Sequence, residues 1–242
     1  MRPDPPARSL VLVTDYRVPD PARVWPLLQR HRDNLARLGA HHVLVYTSTV
    51  DPGRVLAVMA IHAAQPVVDL LRDEAFMAWF DAVGVSDIPA VFAGSLVERI
   101  DLAAPRGPTP ASLTEPRSTE PPGSFAAPAS LTEPPGVVVA AVAEVGDTQA
   151  LISHVHATEQ HFAAAGIRKI LIFQAFDNPR EIFMLQEADD ELGAGQWINE
   201  PEFASEWITR AGVGIYPPVF VGRLQQLMRV GHESDPADEP AS

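Results

Sequence analysis

The stretch HVLVYT, residues 42–47, carries the reading of the fold. Successive side chains of a strand point to opposite faces, so Val43 and Val45 lie on one face and Leu44 and Tyr46 on the other. Both faces are apolar. A sheet wetted on one side would alternate apolar with polar residues instead. The run KILIFQ at 169–174 has the same character, with Ile170 and Ile172 on one face and Leu171 and Phe173 on the other. The runs VLAVMAI (55–61) and IFML (182–185) repeat it. Each sheet therefore has two faces to cover. Helices of the same unit can cover one face, and the obvious cover for the second is another sheet of the same kind.

Working outward, the two regions prove to be copies at a spacing of 127 residues. Asp20 matches Asp147, Leu35 matches Phe162, Gly39 matches Gly166, Leu44 matches Leu171 and Phe80 matches Trp207. After one inserted residue, Pro89, Phe92, Gly94 and Leu96 match Pro217, Phe220, Gly222 and Leu224. The matches fall at caps, turns and core positions in the same order, as a duplication requires. Each copy reads βαββαβ. Strands are predicted at 10–16, 42–49, 54–62 and 90–100, and at 137–145, 169–176, 181–188 and 219–228. The first helices start at Asp20 and Asp147 and end at Gly39 and Gly166. The second helices are expected at 73–83 and 200–211. Pro26 is expected to confine the first helix to the residues after it or to kink its first turn.

The predicted fold is thus α+β: two tandem ferredoxin-like domains, at residues 9–102 and 136–230, whose antiparallel sheets pair within one chain. Between them, residues 103–135 are rich in Pro, Ser, Thr and Ala, and PASLTEP occurs at both 110–116 and 128–134. Such a segment, like the tail 231–242, reads as disordered because it has little apolar surface to bury.

This layout resembles the dimeric α+β barrel superfamily, which includes antibiotic-biosynthesis-type monooxygenases and several cofactor-free cyclases and isomerases. The two-faced strands carry the resemblance, together with DEAFMAWF at 73–80 followed by Gly84, and PAVF at 89–92. It implies an eight-stranded barrel, with both halves supplied here by one chain. It also implies a pocket between the helices and the helix-facing side of the sheet. Some distant members use haem, and that is left open; no residue pattern here selects it, and no cofactor is predicted.

Bulk properties exclude several classes. The formal net charge is −13 and no segment is basic, which argues against a nucleic-acid partner. With no cysteine, disulfides, thiolate metal sites and a Cys nucleophile are ruled out. No apolar run is long enough to span a membrane, and the N-terminus lacks a secretory core, so a cytoplasmic protein is expected. The single lysine, Lys169, sits at a strand start and looks exposed. Gly193-Ala-Gly195 follows the acidic run Asp189-Asp190-Glu191, expected to be a solvated loop, so it is no phosphate-binding motif.

Candidate site residues come from spacing. His31 lies on the helical stripe of Val24, Leu27 or Leu28, Leu35 and Leu38, where it could serve as a general base or simply bond a neighbour at the core edge. Its aligned partner is Thr158. In the second copy His154 and Thr158 are four residues apart and could share one polar patch. His62 ends a strand and Trp79 lies beside the stripe of Phe76, Phe80 and Val83; either could line a pocket mouth. His31, His154 and His62 are the catalytic candidates, and Trp79, Tyr46 and Thr158 the substrate-binding ones. Tyr46 also reads as a barrel-interface aromatic. His41 and His42 are expected to be exposed, and no metal cluster is predicted. These features favour a cofactor-independent oxygenase, cyclase or isomerase acting on a small apolar or aromatic molecule. A non-catalytic ligand-binding or assembly protein is the alternative, and further homo-oligomerisation is left open.

Overall fold

In the computed structural model, residues 8–63, 66–85, 88–102, 136–199 and 219–230 are described. The linker 103–135, the tail and the expected helix at 200–211 lie outside them. The strands form where two-faced apolar runs were read: β1 (Arg8–Arg17), β2 (Ala40–Ser48), β3 (Arg54–Ala63), β4 (Ala90–Asp101), β5 (Val137–Glu144), β6 (Ile167–Ala175), β7 (Glu181–Ala188) and β8 (Phe220–Arg229). Together they make one closed antiparallel barrel in the order β1-β3-β2-β8-β5-β7-β6-β4. Each copy contributes four neighbouring strands. Two seams join the copies, with Leu44 opposite Leu227 in β2–β8 and Leu96 opposite Phe173 in β4–β6. Closure removes the sheet edges that each copy alone would expose.

The second apolar faces meet inside this barrel. Val11, Val13, Tyr46, Phe92, Phe173, Phe183 and Phe220 form its buried filling, with Phe183 at 5.7 Å from both Phe92 and Phe173 between ring centroids. At one end Arg54 makes a two-pronged ion pair with Asp15 (2.9 and 2.6 Å) and lies over the Phe220 ring at 5.4 Å. Each seam carries a Phe-x-Gly. A Cβ on Gly94 would stand 2.3 Å from the Gln174 carbonyl oxygen and 2.7 Å from the Phe92 ring. On Gly222 it would stand 2.5 Å from the Thr47 oxygen and 2.4 Å from the Phe220 ring. The missing side chain lets the aromatic ring fold over its own strand where the copies join.

Helices cover the outer faces. In the first copy these are α1 (Val24–Arg30), α2 (Arg32–Arg37), α3 (Val67–Leu71) and α4 (Glu74–Val83); in the second, α5 (Thr148–Ala157), α6 (Glu159–Ala164) and α7 (Glu191–Ile198). The expected Asp caps are present, with Asp20 accepting from the Ala22 N–H and Asp147 from the Ala150 N–H. The first helix of each copy is broken at an aligned residue, which the periodicity did not foretell. His31 (φ −96°, ψ 14°) and Thr158 (φ −113°, ψ 13°) each separate two short helices. Pro26 does not set the helix start: it lies in the first turn of α1, where its missing N–H has no intrahelical partner to lose. No helix among the described residues is long and apolar enough to cross a membrane.

Two local expectations are corrected and one is refined. The run Asp189-Asp190-Glu191 is exposed, as expected, and its Asp190 caps α7 by accepting from the Gly193 N–H at 2.7 Å. Gly193 then lies within that helix, where a Cβ would approach the Ala165 carbonyl oxygen to 2.9 Å. Lys169 is mostly buried and bonds Glu187 at 3.0 Å, because its row on β6 faces the barrel. His41 and His42 are half-buried, because a bulge between Ala40 and His42 turns them toward the end of β3.

Candidate functional site

A cavity of about 90 Å³ opens in the first copy between α1, α2 and α4 and the outer face of β1, β2 and β3. A single water needs roughly 10–15 Å³ on this scale, so this space holds a molecule of several heavy atoms, about one ring at most. The stripe of Leu28, His31, Leu35 and Leu38 forms its helix wall. Leu12, Thr14, Val43, Ala57 and Met59 form its sheet wall, and Phe76 and Trp79 of α4 close a side.

Its polar atoms are few. Thr14 belongs to the helix-facing row Leu10, Leu12, Thr14 and Tyr16 of β1 and is 1% exposed. The Thr14 Oγ1 is buried with no hydrogen-bond partner among the described residues. The break between α1 and α2 sets His31 on the wall; its backbone N–H is shared between the Leu27 and Leu28 carbonyls. Its ring packs edge-on to Trp79, with centroids 6.5 Å apart, and its Nδ1 lies 3.2 Å from the Asn34 Nδ2. Arg37 in turn donates to the Asn34 Oδ1. Sequence reasoning missed Thr14 and Asn34. A hydroxyl in an otherwise apolar row, and an amide one turn beyond His31, were the available signals.

Among the described residues the second copy places larger side chains toward the corresponding space. Phe162 stands where the first copy has Leu35, Met184 where it has Ala57, and Ile170 where it has Val43. Trp197 of α7 packs on Phe162 at 4.7 Å between ring centroids, both fully or nearly buried. The Trp197 indole N–H donates to the Gln186 Oε1 at 2.8 Å, at the position aligned with Met59. Ala141 replaces the Thr14 hydroxyl. Among the described residues the copies have diverged, one keeping space and polar atoms, the other carrying larger apolar side chains at the matching positions.

Of the residues singled out in the sequence, His31 and Trp79 come together on the cavity wall. The others lie off it. Tyr46 is 2% exposed inside the barrel, and burial, with Glu187 nearby, pushes its phenol up. His62 ends β3 beside His41, with rings 4.3 Å apart. His41 also places its Nδ1 2.7 Å from that of His42. Burial foremost, then the neighbouring His62 and His42, lowers His41 to about 4. His154 is half-buried in α5. The Thr158 hydroxyl donates to the His154 carbonyl at 2.8 Å, serving the helix break. Among the described residues no group of three or more His, Asp or Glu could hold a metal ion. A tetrapyrrole, with four rings joined in one plane, exceeds the space at His31.

The fold is that of a tandem ferredoxin-like chain closed as an intramolecular α+β barrel. The chain is similar in structure to an anthrone oxidase-like protein, with TM-score 0.58 and 12% identity over 93% of this chain and 94% of that one. A candidate monooxygenase from Fusobacterium nucleatum gives 0.52 and 9%, over 92% and 95%. Another from Lactobacillus acidophilus gives 0.51 and 11%, over 93% and 97%. Such identities establish the fold alone. No protein-family model matches the chain, and no curated protein matches it.

Proposed function

We propose that the chain is a cofactor-independent enzyme of the oxygenase, cyclase or isomerase type, acting on a small apolar molecule of about one ring in the first-copy cavity. The observation that carries this reading is the apolar first-copy cavity, which has His31 and Thr14 on its wall and the Thr14 Oγ1 buried beside it with no hydrogen-bond partner among the described residues. An unsatisfied buried hydroxyl costs stability, and it is retained where a ligand can complete it. The three reaction types share one demand: an electron-rich, deprotonated substrate held away from water beside polar groups that stabilise its charge. For an oxygenase, a substrate CH₂ and O₂ give a ketone and water, with all electrons supplied by the substrate. In this proposal His31, Thr14 and Trp79 contact the substrate. The oxidase and monooxygenase names of the similar structures agree with it.

The test is turnover of single-ring enols, phenols and cyclic ketones under O₂, followed by mass spectrometry. Product formation that is lost in His31→Ala and in Ala57→Met, which fills the cavity, is the expected result. Binding without turnover across the panel selects the second reading, a ligand-binding protein, which the absence of a nucleophile–base pair on the cavity wall favours. Turnover unchanged in both variants removes the site assignment.

A further inference from the structure

Arg37, Asn34 and His31 form a chain of contacts whose chemistry fixes a proton. A guanidinium only donates, so the Asn34 atom that Arg37 meets is the carbonyl oxygen. The amide of Asn34 therefore turns its NH₂ toward His31, where Nδ2 and Nδ1 are 3.2 Å apart. An amide NH₂ donates, so Nδ1 must accept, and the neutral ring carries its proton on Nε2. The three residues sit at i, i+3 and i+6 along the break and α2, so one short helix holds the whole chain.

We propose that Arg37 and Asn34 lock His31 in the Nε2–H tautomer, so that the cavity recognises a ligand through an acceptor oxygen. This rests on the reading of the cavity as the ligand site, and it makes His31 a donor to the substrate oxygen rather than the base that opens the reaction. The rest of the wall agrees. Among the described residues no carboxylate lines the cavity, and its remaining polar side chains, Thr14 and Asn34, can each donate. Such a site favours a ketone or oxyanion oxygen over a hydrocarbon of the same shape. It repels an amine or cation, which would find no anion there. Asn34 and Arg37 are positioning residues in this account, with Arg37 acting only through Asn34.

The experiment is long-range ¹H–¹⁵N correlation NMR of the histidine rings in the full chain, at a pH where the rings are neutral. His31 is expected as Nε2–H in the wild type and in Arg37→Lys, which keeps a donor. It is expected as Nδ1–H in Asn34→Asp, whose carboxylate only accepts, and as a mixture in Arg37→Met, which frees the amide to flip. Cyclohexanone and methylenecyclohexane, which differ by one oxygen, are then titrated in. The ketone is expected to bind about tenfold tighter, the worth of one net hydrogen bond, and to lose that margin in Asn34→Asp. Nδ1–H in the wild type overturns the lock. Equal affinity of the two probes overturns the acceptor-oxygen recognition. If neither enters the cavity, the proposed binding site fails, while the tautomer still decides the lock by itself.

Discussion

Thr14→Val is the perturbation whose sign says most. Folding strips water from the Thr14 hydroxyl, which has no hydrogen-bond partner among the described residues and is 1% exposed. Leaving a buried hydroxyl unpaired costs about 1–3 kcal/mol. Valine has the same branched shape and suits a strand equally well, and its extra methyl adds about 0.8 kcal/mol of burial. Against these gains stands the small misfit of any core exchange, so a net stabilisation of about 1–2 kcal/mol is expected. Urea unfolding followed by tryptophan fluorescence reads this directly. With a slope of roughly 1–3 kcal/mol/M, the midpoint should rise by about 0.3–2 M with the slope unchanged. Most core substitutions destabilise, so a rise is not a default outcome. The same variant should bind cyclohexanone more weakly, trading ligand affinity for stability. A lowered midpoint would show that the hydroxyl is satisfied in the folded protein, and the case for a ligand-completed site would fall with it.

Ala57→Met copies Met184 of the second copy into the cavity; it should leave the urea midpoint unchanged or raised while abolishing probe binding, and intact binding would refute the cavity's location. Gly94→Ala and Gly222→Ala each push a methyl against a backbone oxygen at 2.3 and 2.5 Å. Each should cost about 1–3 kcal/mol, near additively because they lie at different seams, and loss of less than about 0.5 kcal/mol in both would show that the seams are loose. His41 is lowered to about 4 from its ordinary 6.5, so between those values the unfolded chain takes up a proton that the folded one refuses. Stability is therefore full above about 6.5 and falls as pH drops toward about 4, and His41→Gln should flatten a urea-midpoint profile over that window; parallel profiles would refute it. Cutting a protease site placed within residues 103–135 should leave both halves in one peak on size exclusion, because two seams and the barrel filling join them; separation into monomers would contradict the barrel.

Much of the barrel was legible in the chain itself. Two-faced strands such as 42–47 and 169–174 demand a second cover, and the 127-residue repeat supplies one of matching chemistry. The Phe-x-Gly pairs at 92–94 and 220–222 were visible as aligned residues, although their place at the seams was not. The site was only partly legible. Periodicity put His31 on the sheet-facing stripe and Trp79 beside the core, and both reach the cavity. It gave equal standing to His62, His154, Tyr46 and Thr158, which the fold carries elsewhere. It also read Lys169 as exposed and did not foresee the Asp190 cap, because charge in a sequence says nothing of the cap or ion pair that accepts it.

What the sequence determined by itself is the alternation of apolar side chains, which is local in origin: a period of two fixes which residues share a face, and hydrophobicity fixes which faces must be covered. What only the tertiary structure decided is where space is left. Ala57 and Met184 occupy the same place in the same fold, and both are apolar to any pattern. Packing around Leu35 leaves a cavity in the first copy, whereas at the matching place in the second Phe162 meets Trp197 at 4.7 Å between ring centroids. A void depends on the volumes of residues distant in the chain, and no local rule sums them.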